Sequence, residues 1–208
     1  MINIFSICFN RPDLLEYQVK TFKKFLNDEI DFWCVDNSLN LENEFREESK
    51  RLDIKYMLVP GKQHSNAGDS HQATCNYVIK QHISNIKEVS LLVDFDIFLI
   101  KPLIVTDDFN LMGVAQGQDS IKFLWPGMIA INGNKCTNIN EIDLRGAFIK
   151  KDGSDFYIAN SHKVFELGAY ASLIKDHYPM DSGAMLHFYI KKYNPLIKFL
   201  SMEHILHS

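Results

Sequence analysis

Two aspartates, Asp94 and Asp96, interrupt an otherwise apolar run over residues 89–102. A buried run tolerates such charges only where another group compensates them. In an extended segment side chains alternate between faces, so both carboxylates point the same way, with their Cα atoms roughly 6.6 Å apart. Hard cations such as Mg²⁺ and Mn²⁺ take carboxylate oxygens and leave room for phosphate oxygens. The pair predicts a metal clamp for a nucleotide diphosphate; the alternative is an ordinary strand end whose turn carries solvated aspartates.

Short apolar strands alternate with amphipathic helices before this pair. The predicted strands cover residues 2–9, 30–35, 54–59 and 89–93, and the predicted helices begin at Pro12 and cover residues 41–52 and 67–86. Such alternation is typical of βαβ units and predicts an α/β fold whose mainly parallel sheet carries helices on its faces. The rest of the chain is less regular, with predicted strands at 112–116 and 127–131 and helices at 164–175 and 183–193. We therefore predict one domain with a nucleotide-binding half and an irregular half that shapes a substrate pocket.

The composition is that of a packed globular protein. With 208 residues, 46% of them hydrophobic and 15 of them phenylalanine, the chain can bury one well-formed core. Its net charge of −4 gives no overall attraction for nucleic acid or for an anionic membrane. The four cysteines are scattered without a C-x-x-C pair, and no signal peptide or membrane span is visible. We expect reduced core cysteines in a cytoplasmic protein.

Polar side chains follow each predicted strand of the first half. They are Asn10 and Arg11, then Asp36 with its neighbours Asn37 and Ser38, then residues 62–71, then the aspartate pair. In open α/β sheets, ligands bind beyond the carboxyl ends of the strands. We expect these side chains to converge, which favours a functional aspartate pair.

Four segments together resemble the GT-A fold of nucleotide-sugar glycosyltransferases. They are SICFNRPDLLEYQ, VDNS, SNAGDSHQATCNYVI, and LLVDFDIFLIKP as a DXD motif. The resemblance implies a single Rossmann-like domain with a nucleotide-binding half over residues 1–101 and a sugar and acceptor half over residues 102–208. It also implies Mn²⁺ or Mg²⁺, a UDP-sugar donor and a glycan or glycoprotein acceptor, with no nucleic acid partner.

Two details of the sequence bear on the subfamily. The segment Asn66-x-Gly68 is similar to the N-x-G loop of the large inverting family, but Thr74-Cys75-Asn76 stands where that family has an arginine-asparagine pair. Retention and inversion both stay open, as do the sugar that is transferred and the oligomeric state. The chain also resembles the short glycosyltransferase domains of large algal DNA viruses, which are anchor-free and can be fused to further domains; this implies the host cytoplasm.

The resemblance implies roles for residues around the metal and the nucleotide. Asp96 would be the direct metal ligand, and Asp94 would hold the ribose or share the metal. Asp36 would read the uracil edge; the alternative is an Asx-type turn that closes the strand. The loop residues that would line the base are Phe9, Asn10 and Arg11. A late histidine, His207 or else His204, would be a further metal ligand; the alternative is a polar surface or core histidine in a frayed tail.

Stabilising the leaving nucleotide diphosphate is the main task of such a site. Lys62, His64 and His71 could donate hydrogen bonds to it, and Asn66 belongs to the same candidate donor-binding loop; the alternative is a solvated polar loop.

Two segments could face the sugar. Trp125 offers an aromatic plane for a sugar ring beside the flexible Gly127, although a core tryptophan at a turn would give the same pattern. Asp181 is a candidate base toward the acceptor hydroxyl or a ligand of donor hydroxyls, but Asp181 or Ser182 could also cap a following helix.

Two other classes of protein fit the sequence poorly. An aspartyl-phosphate phosphatase carries its D-x-D after the first strand and has threonine or valine where this chain has Phe98. A sugar nucleotidyltransferase needs a glycine-rich, basic loop where residues 9–12 read FNRP. A non-catalytic module that binds a nucleotide sugar or a glycan stays open, because binding and turnover would use the same metal clamp.

Overall fold

The computed structural model describes residues 1–26, 28–60, 67–157, 175–180 and 182–207. The strands in these ranges are β1 (Ile2–Cys8), β2 (Ile30–Asp36), β3 (Lys55–Leu58), β4 (Val89–Asp94), β5 (Ile97–Leu99), β6 (Leu111–Gln118), β7 (Ile121–Asn132), β8 (Ala147–Lys150), β9 (Phe156–Tyr157), β10 (His177–Met180), β11 (Ile197–Phe199) and β12 (Ile205–His207). The α-helices are α1 (Pro12–Phe25), α2 (Glu42–Arg51), α3 (Ala67–Gln81) and α4 (Leu186–Tyr193).

The central sheet has seven strands in the order β11-β6-β7-β4-β1-β2-β3. Strands β4, β1, β2 and β3 run parallel, whereas β7 runs antiparallel to both of its neighbours. In this register Ile7 lies opposite Asp94, and Cys8 lies opposite Asp36. The prediction of a mainly parallel sheet flanked by helices is confirmed, and the carboxyl ends of β1, β2 and β4 share one edge.

Each face of the sheet packs its own hydrophobic core. Along β1, Phe5 and Ile7 join the core under α3 and α4, whereas Ile4 and Cys8 join the core under α1 and α2, because successive side chains point to opposite faces. All seven residues of β1 are buried, as expected for a strand whose sheet is covered on both faces. Pro12 occupies the first turn of α1, where its missing N–H costs no helical hydrogen bond.

The predicted strands at 112–116 and 127–131 belong to one longer hairpin. Strands β6 and β7 pair with each other. Gln118 lies opposite Ile121 at the turn of the hairpin, and Leu111 lies opposite Ile131 at its other end. The segment that we expected to be a loop before the second strand, including Trp125, therefore lies inside β7. The outer half of β6 is exposed and contains polar residues and glycine, so its sequence lacks the apolar pattern that predicts a strand.

The last predicted helix begins later than expected. Helix α4 starts at Leu186, and the residue before it is Met185, which makes no capping hydrogen bond through its side chain. Of the two residues offered as possible caps, Asp181 lies outside the described residues and Ser182 does not cap this helix, because Gly183 adopts a φ of +90° and takes the chain out of the helical conformation. The helix predicted over 164–175 falls almost wholly outside the described residues.

The four cysteines are free and buried, as predicted. Within the described ranges, no helix is both long and apolar enough to cross a membrane.

Candidate active site

The two aspartates lie on the tight turn between β4 and β5, and each is paired with a different histidine. Asp94 ends β4, and its Oδ1 lies 2.5 Å from Nε2 of His71. Asp96 Oδ2 lies 3.4 Å from Nε2 of His207. The side chains of Asp94 and Asp96 are 22% and 20% exposed, so most of the area of each is covered.

The pKa values of Asp96 and His71 are both raised, but for different reasons. Burial raises the pKa of Asp96, and Asp94 adds to this, while His207 acts against it. Burial lowers the pKa of His71, but the adjacent Cys75 and Asp94 more than offset this and hold it well above its usual value. In this pair the His71 ring N–H donates and the Asp94 carboxylate accepts.

His207 reaches the aspartate turn because β12 pairs antiparallel with β5. In this ribbon His207 lies opposite Ile97, the residue that follows Asp96. The ring of Trp125 packs edge-on against the His207 ring, with the centroids 5.5 Å apart. His204 instead lies at the carbonyl of Pro102, 3.1 Å from its Nδ1. Of the two late histidines, His207 is the one beside the aspartates.

Gln18 supports the backbone of the aspartate turn, residues 94–97, through hydrogen bonds. Its Nε2 donates to the carbonyls of Asp94 at 2.7 Å and Ile97 at 2.9 Å, while its Oε1 accepts from Ser6 Oγ at 2.5 Å. Gln18 is fully buried. Gln18 is not among the residues predicted from the sequence, although an amide on the apolar face of α1, four residues after Leu14 and four before Phe22, indicates a buried polar role.

The end of β2 is a closed polar turn. The Asp36 carboxylate is buried and accepts from the Ser38 amide at 2.7 Å, the Ser38 hydroxyl at 2.6 Å and the Tyr56 hydroxyl at 2.8 Å. The Asx-type turn that was the alternative for Asp36 is therefore present. Asn37, also buried, accepts hydrogen bonds from Ser70 and Thr74 of α3.

The loop after β1 lies at the same edge of the sheet but is more open. Phe9 is half-buried, and Asn10 is exposed with a φ of +53°. Arg11 is exposed and pairs with Asp13 at 2.8 Å, a surface ion pair of small energetic value.

Helix α3 connects the aspartate turn to the opposite wall of the site. His71 contacts Asp94, and the next residue, Gln72, donates to Ser182 Oγ at 2.9 Å and accepts from the Gly146 amide at 3.1 Å. One turn later, Asn76 accepts from the Leu144 amide and donates to Asp143. Within the segment Thr74-Cys75-Asn76, Asn76 thus contacts the second half of the chain, whereas Thr74 contacts Asn37.

A cleft of about 170 Å³ lies between these elements. His71 and Asp94 form one side, and Ser182, Gln116 and the Trp125-Pro126 segment form the other. Three candidates from the sequence, His71, Asp94 and Trp125, therefore share one cleft. Lys62, His64, Asn66 and Asp181 lie outside the described residues.

Trp125 reaches the cleft through a large bulge in β7. Gly113 of β6 pairs with Ile129, but Ala115 pairs with Leu124, so residues 125–128 bulge opposite the single residue Val114. Bulges of this kind redirect side chains next to functional sites. Gly127 is required inside the bulge because a Cβ there would lie 2.3 Å from Cζ2 of Trp125.

Gly127→Ala is expected to displace the Trp125 ring and to lower the free energy of unfolding by about 1–3 kcal/mol, the usual range for overpacking. The measurement is tryptophan fluorescence during denaturant unfolding in a Trp33→Phe background, which leaves Trp125 as the single emitter of the two tryptophans. The Trp33→Phe parent is the control. Identical emission maxima and midpoints in parent and variant would contradict the close packing of Trp125 on Gly127.

The donor atoms at the aspartate turn suit Mn²⁺ or Mg²⁺ in their chemistry. Asp94 and Asp96 offer the carboxylate oxygens that both cations take. His207 offers an imidazole nitrogen, a donor that suits transition metals better than Mg²⁺. Within the described ranges, however, the structure holds no compact group of three or more His, Cys, Asp or Glu side chains that could hold a metal ion. Of the three residues predicted to hold the metal, Asp94 and Asp96 lie on one turn and His207 lies beside Asp96.

Comparisons with known proteins identify the fold. No protein-family model matches the sequence, and no curated protein matches it. Two structures of the galactosyltransferase LgtC superpose on the chain: a complex with donor and acceptor sugar analogues, with a TM-score of 0.52 at 12% identity, and an active-site mutant, with 0.54 at 13%. Both alignments cover 96% of this chain and 73% of LgtC. The chain therefore has the GT-A fold of these glycosyltransferases, as the sequence resemblance implied.

A more distant similarity adds nothing to this assignment. The mannosyltransferase PcManGT from Pyrobaculum calidifontis, in complex with GDP-Man and Mn²⁺, aligns with 63% of this chain and 44% of its own at 11% identity and a TM-score of 0.43.

Proposed function

We propose that this protein is a metal-dependent glycosyltransferase that moves a hexosyl or deoxyhexosyl group from a UDP-sugar to a hydroxyl of a glycan or glycoprotein. The observation that carries the proposal is the pair Asp94 and Asp96 on the β4–β5 turn, each with a histidine partner, at the carboxyl edge of a GT-A sheet. The glycosyltransferases that share this fold support the reaction class.

Asp96, Asp94 and His207 are the residues proposed to hold Mn²⁺ or Mg²⁺. A bound cation of this kind acts as a Lewis acid that stabilises the charge on the departing nucleotide diphosphate. The adjacent Cys75 and Asp94 raise the pKa of His71, and the protonated ring would add positive charge on the same side of the cleft. These charges favour departure of a diphosphate over departure of a neutral group.

The remaining roles concern the nucleotide and the sugar. Phe9, Asn10 and Arg11 line the base at the open loop after β1, beside Asp36 at the end of β2. The Asp36 carboxylate already accepts hydrogen bonds within its own turn, so the uracil would contact other polar atoms of that turn rather than a free carboxylate. Lys62, His64 and Asn66 are proposed at the diphosphate, Trp125 and Gly127 at the sugar, and Asp181 as base or donor-hydroxyl ligand.

A thermal-shift screen of nucleotide sugars with and without Mn²⁺ tests the donor and the metal together. A donor present at a hundred times its Kd stabilises the folded chain by about 2.7 kcal/mol, which corresponds to a Tm increase of roughly 5–10 °C for a chain of this size. We expect the increase with UDP-sugars in Mn²⁺ and its loss in EDTA. GDP-glucose beside UDP-glucose is the matched control for the base, because the two donors carry the same sugar.

Release of UDP from the donor that stabilises most then separates an enzyme from a binding module. Metal-dependent release in the presence of glycan acceptors supports the proposal. Tight metal-dependent binding with no release, across donors and acceptors, would assign the chain to the non-catalytic modules instead.

A further inference from the structure

A second, larger cleft opens beside the outer end of the β6–β7 hairpin. We call it the hairpin cleft; it has a volume of about 400 Å³ and is formed by β6, the start of β7 and Phe199 of β11. Gln116 lines the hairpin cleft and also lines the cleft that contains His71 and Asp94. The two clefts therefore adjoin at one side chain.

The side chains of the hairpin cleft suit a carbohydrate. Phe199 is 64% exposed, although an aromatic ring normally gains from burial. Beside it, Gln116, Gln118, Asp119 and Lys122 are all exposed and line the same cleft. An amide both donates and accepts hydrogen bonds, as a sugar hydroxyl does, while an aromatic plane contacts the apolar face of a pyranose ring.

Contacts within the protein fix the shape of the hairpin cleft in the absence of a ligand. Gln118 pairs with Ile121, so the hairpin closes over the two residues Asp119 and Ser120, and Asp119 adopts the positive φ that a tight hairpin turn requires. The Asp119 carboxylate accepts from the Tyr178 hydroxyl at 2.5 Å, and Ser120 donates to the carbonyl of Lys151. These contacts tie the hairpin to the smaller sheet of β8, β9 and β10.

We infer that the hairpin cleft is the subsite that holds the acceptor sugar, with the exposed Phe199 ring under one pyranose face and Gln118 and Asp119 at its hydroxyls. This inference rests on the proposed function, because the acceptor hydroxyl must approach the donor in the neighbouring cleft through the side that Gln116 shares. A volume of about 400 Å³ lies within the range of about 300–1,000 Å³ for small-ligand sites. The size of the cleft fits a mono- or disaccharide end of a glycan, and this is the ligand class that we assign to it.

Direct sugar binding tests the inference without any need for turnover. Saturation-transfer NMR with methyl hexopyranosides, lactose, maltose, cellobiose and diacetylchitobiose measures binding to the wild-type chain, Phe199→Ala and Gln118→Ala. For the sugar that binds the wild-type chain best, we expect a Kd at least about tenfold higher in Phe199→Ala, since loss of one stacking contact of about 1.4 kcal/mol is a factor of ten. The control is Leu196→Ala, which removes a side chain of similar exposure, 61%, that does not line the cleft.

Two results would overturn the assignment: no sugar of the panel binds the wild-type chain at millimolar concentration, or Phe199→Ala and Gln118→Ala both bind as well as Leu196→Ala. Failure of the proposed function is separately visible in the thermal shift with UDP-sugars and Mn²⁺. Phe199→Ala should keep that shift unchanged if the hairpin cleft serves the acceptor alone.

Discussion

Asp96→Asn is expected to lower metal-stimulated sugar transfer by a factor on the order of 10³. The substitution removes one of two carboxylates from the proposed cation site and keeps the size of the side chain. Loss of about 4 kcal/mol of charge stabilisation on the leaving diphosphate corresponds to this factor, since about 1.4 kcal/mol is tenfold in rate. The Tm increase produced by Mn²⁺ with a UDP-sugar should disappear as well.

The same variant should fold normally. Because burial raises the pKa of Asp96, the folded chain disfavours the charge at this position, and a neutral asparagine relieves that cost at neutral pH. The measurements are initial rates, Mn²⁺-dependent thermal shifts and urea unfolding, with Asp107→Asn as the matched control at an exposed site away from the turn. A variant that keeps both the rate and the Mn²⁺ response would remove Asp96 from the metal site.

Gln18→Met is expected to have the second-largest effect, on stability and on metal affinity together. Methionine fills a similar volume but cannot donate to the carbonyls of Asp94 and Ile97 or accept from Ser6. Each buried polar group left unpaired costs about 1–3 kcal/mol, so the loss of three partners should lower the free energy of unfolding by at least about 3 kcal/mol. Because the aspartate turn then loses its support, the Kd for Mn²⁺ should rise by about tenfold.

Two measurements separate the roles of Gln18. Urea unfolding gives the stability, and Mn²⁺ titration at a temperature where the variant is fully folded gives the affinity. Gln81→Met, the same substitution at an exposed position of α3, is expected to change neither. Reduced stability with an unchanged Mn²⁺ affinity would make Gln18 a core residue that has no positioning role at the site.

Much of the fold followed from local patterns in the first half of the chain. Predictions for β1, α1, β2, α2 and β4 agree with the structure to within a residue or two. The alternation of buried strands with amphipathic helices can be recognised from residues that are close together in the sequence. The hairpin of β6 and β7 was harder to predict, because its bulge and its exposed outer end break the alternation on which strand prediction depends.

By itself the sequence determined that two aspartates end a buried strand, and it identified His71, Trp125 and His207 as candidates. It did not determine which side chains meet. His207 reaches Asp96 only because β12 pairs with β5, and Gln18 supports the turn only because α1 packs against β5. Strand pairing, register and helix packing join residues far apart in the chain, and their energies depend on burial that exists only after folding. The tertiary structure therefore decided the partners of the aspartate pair and placed the hairpin cleft beside it.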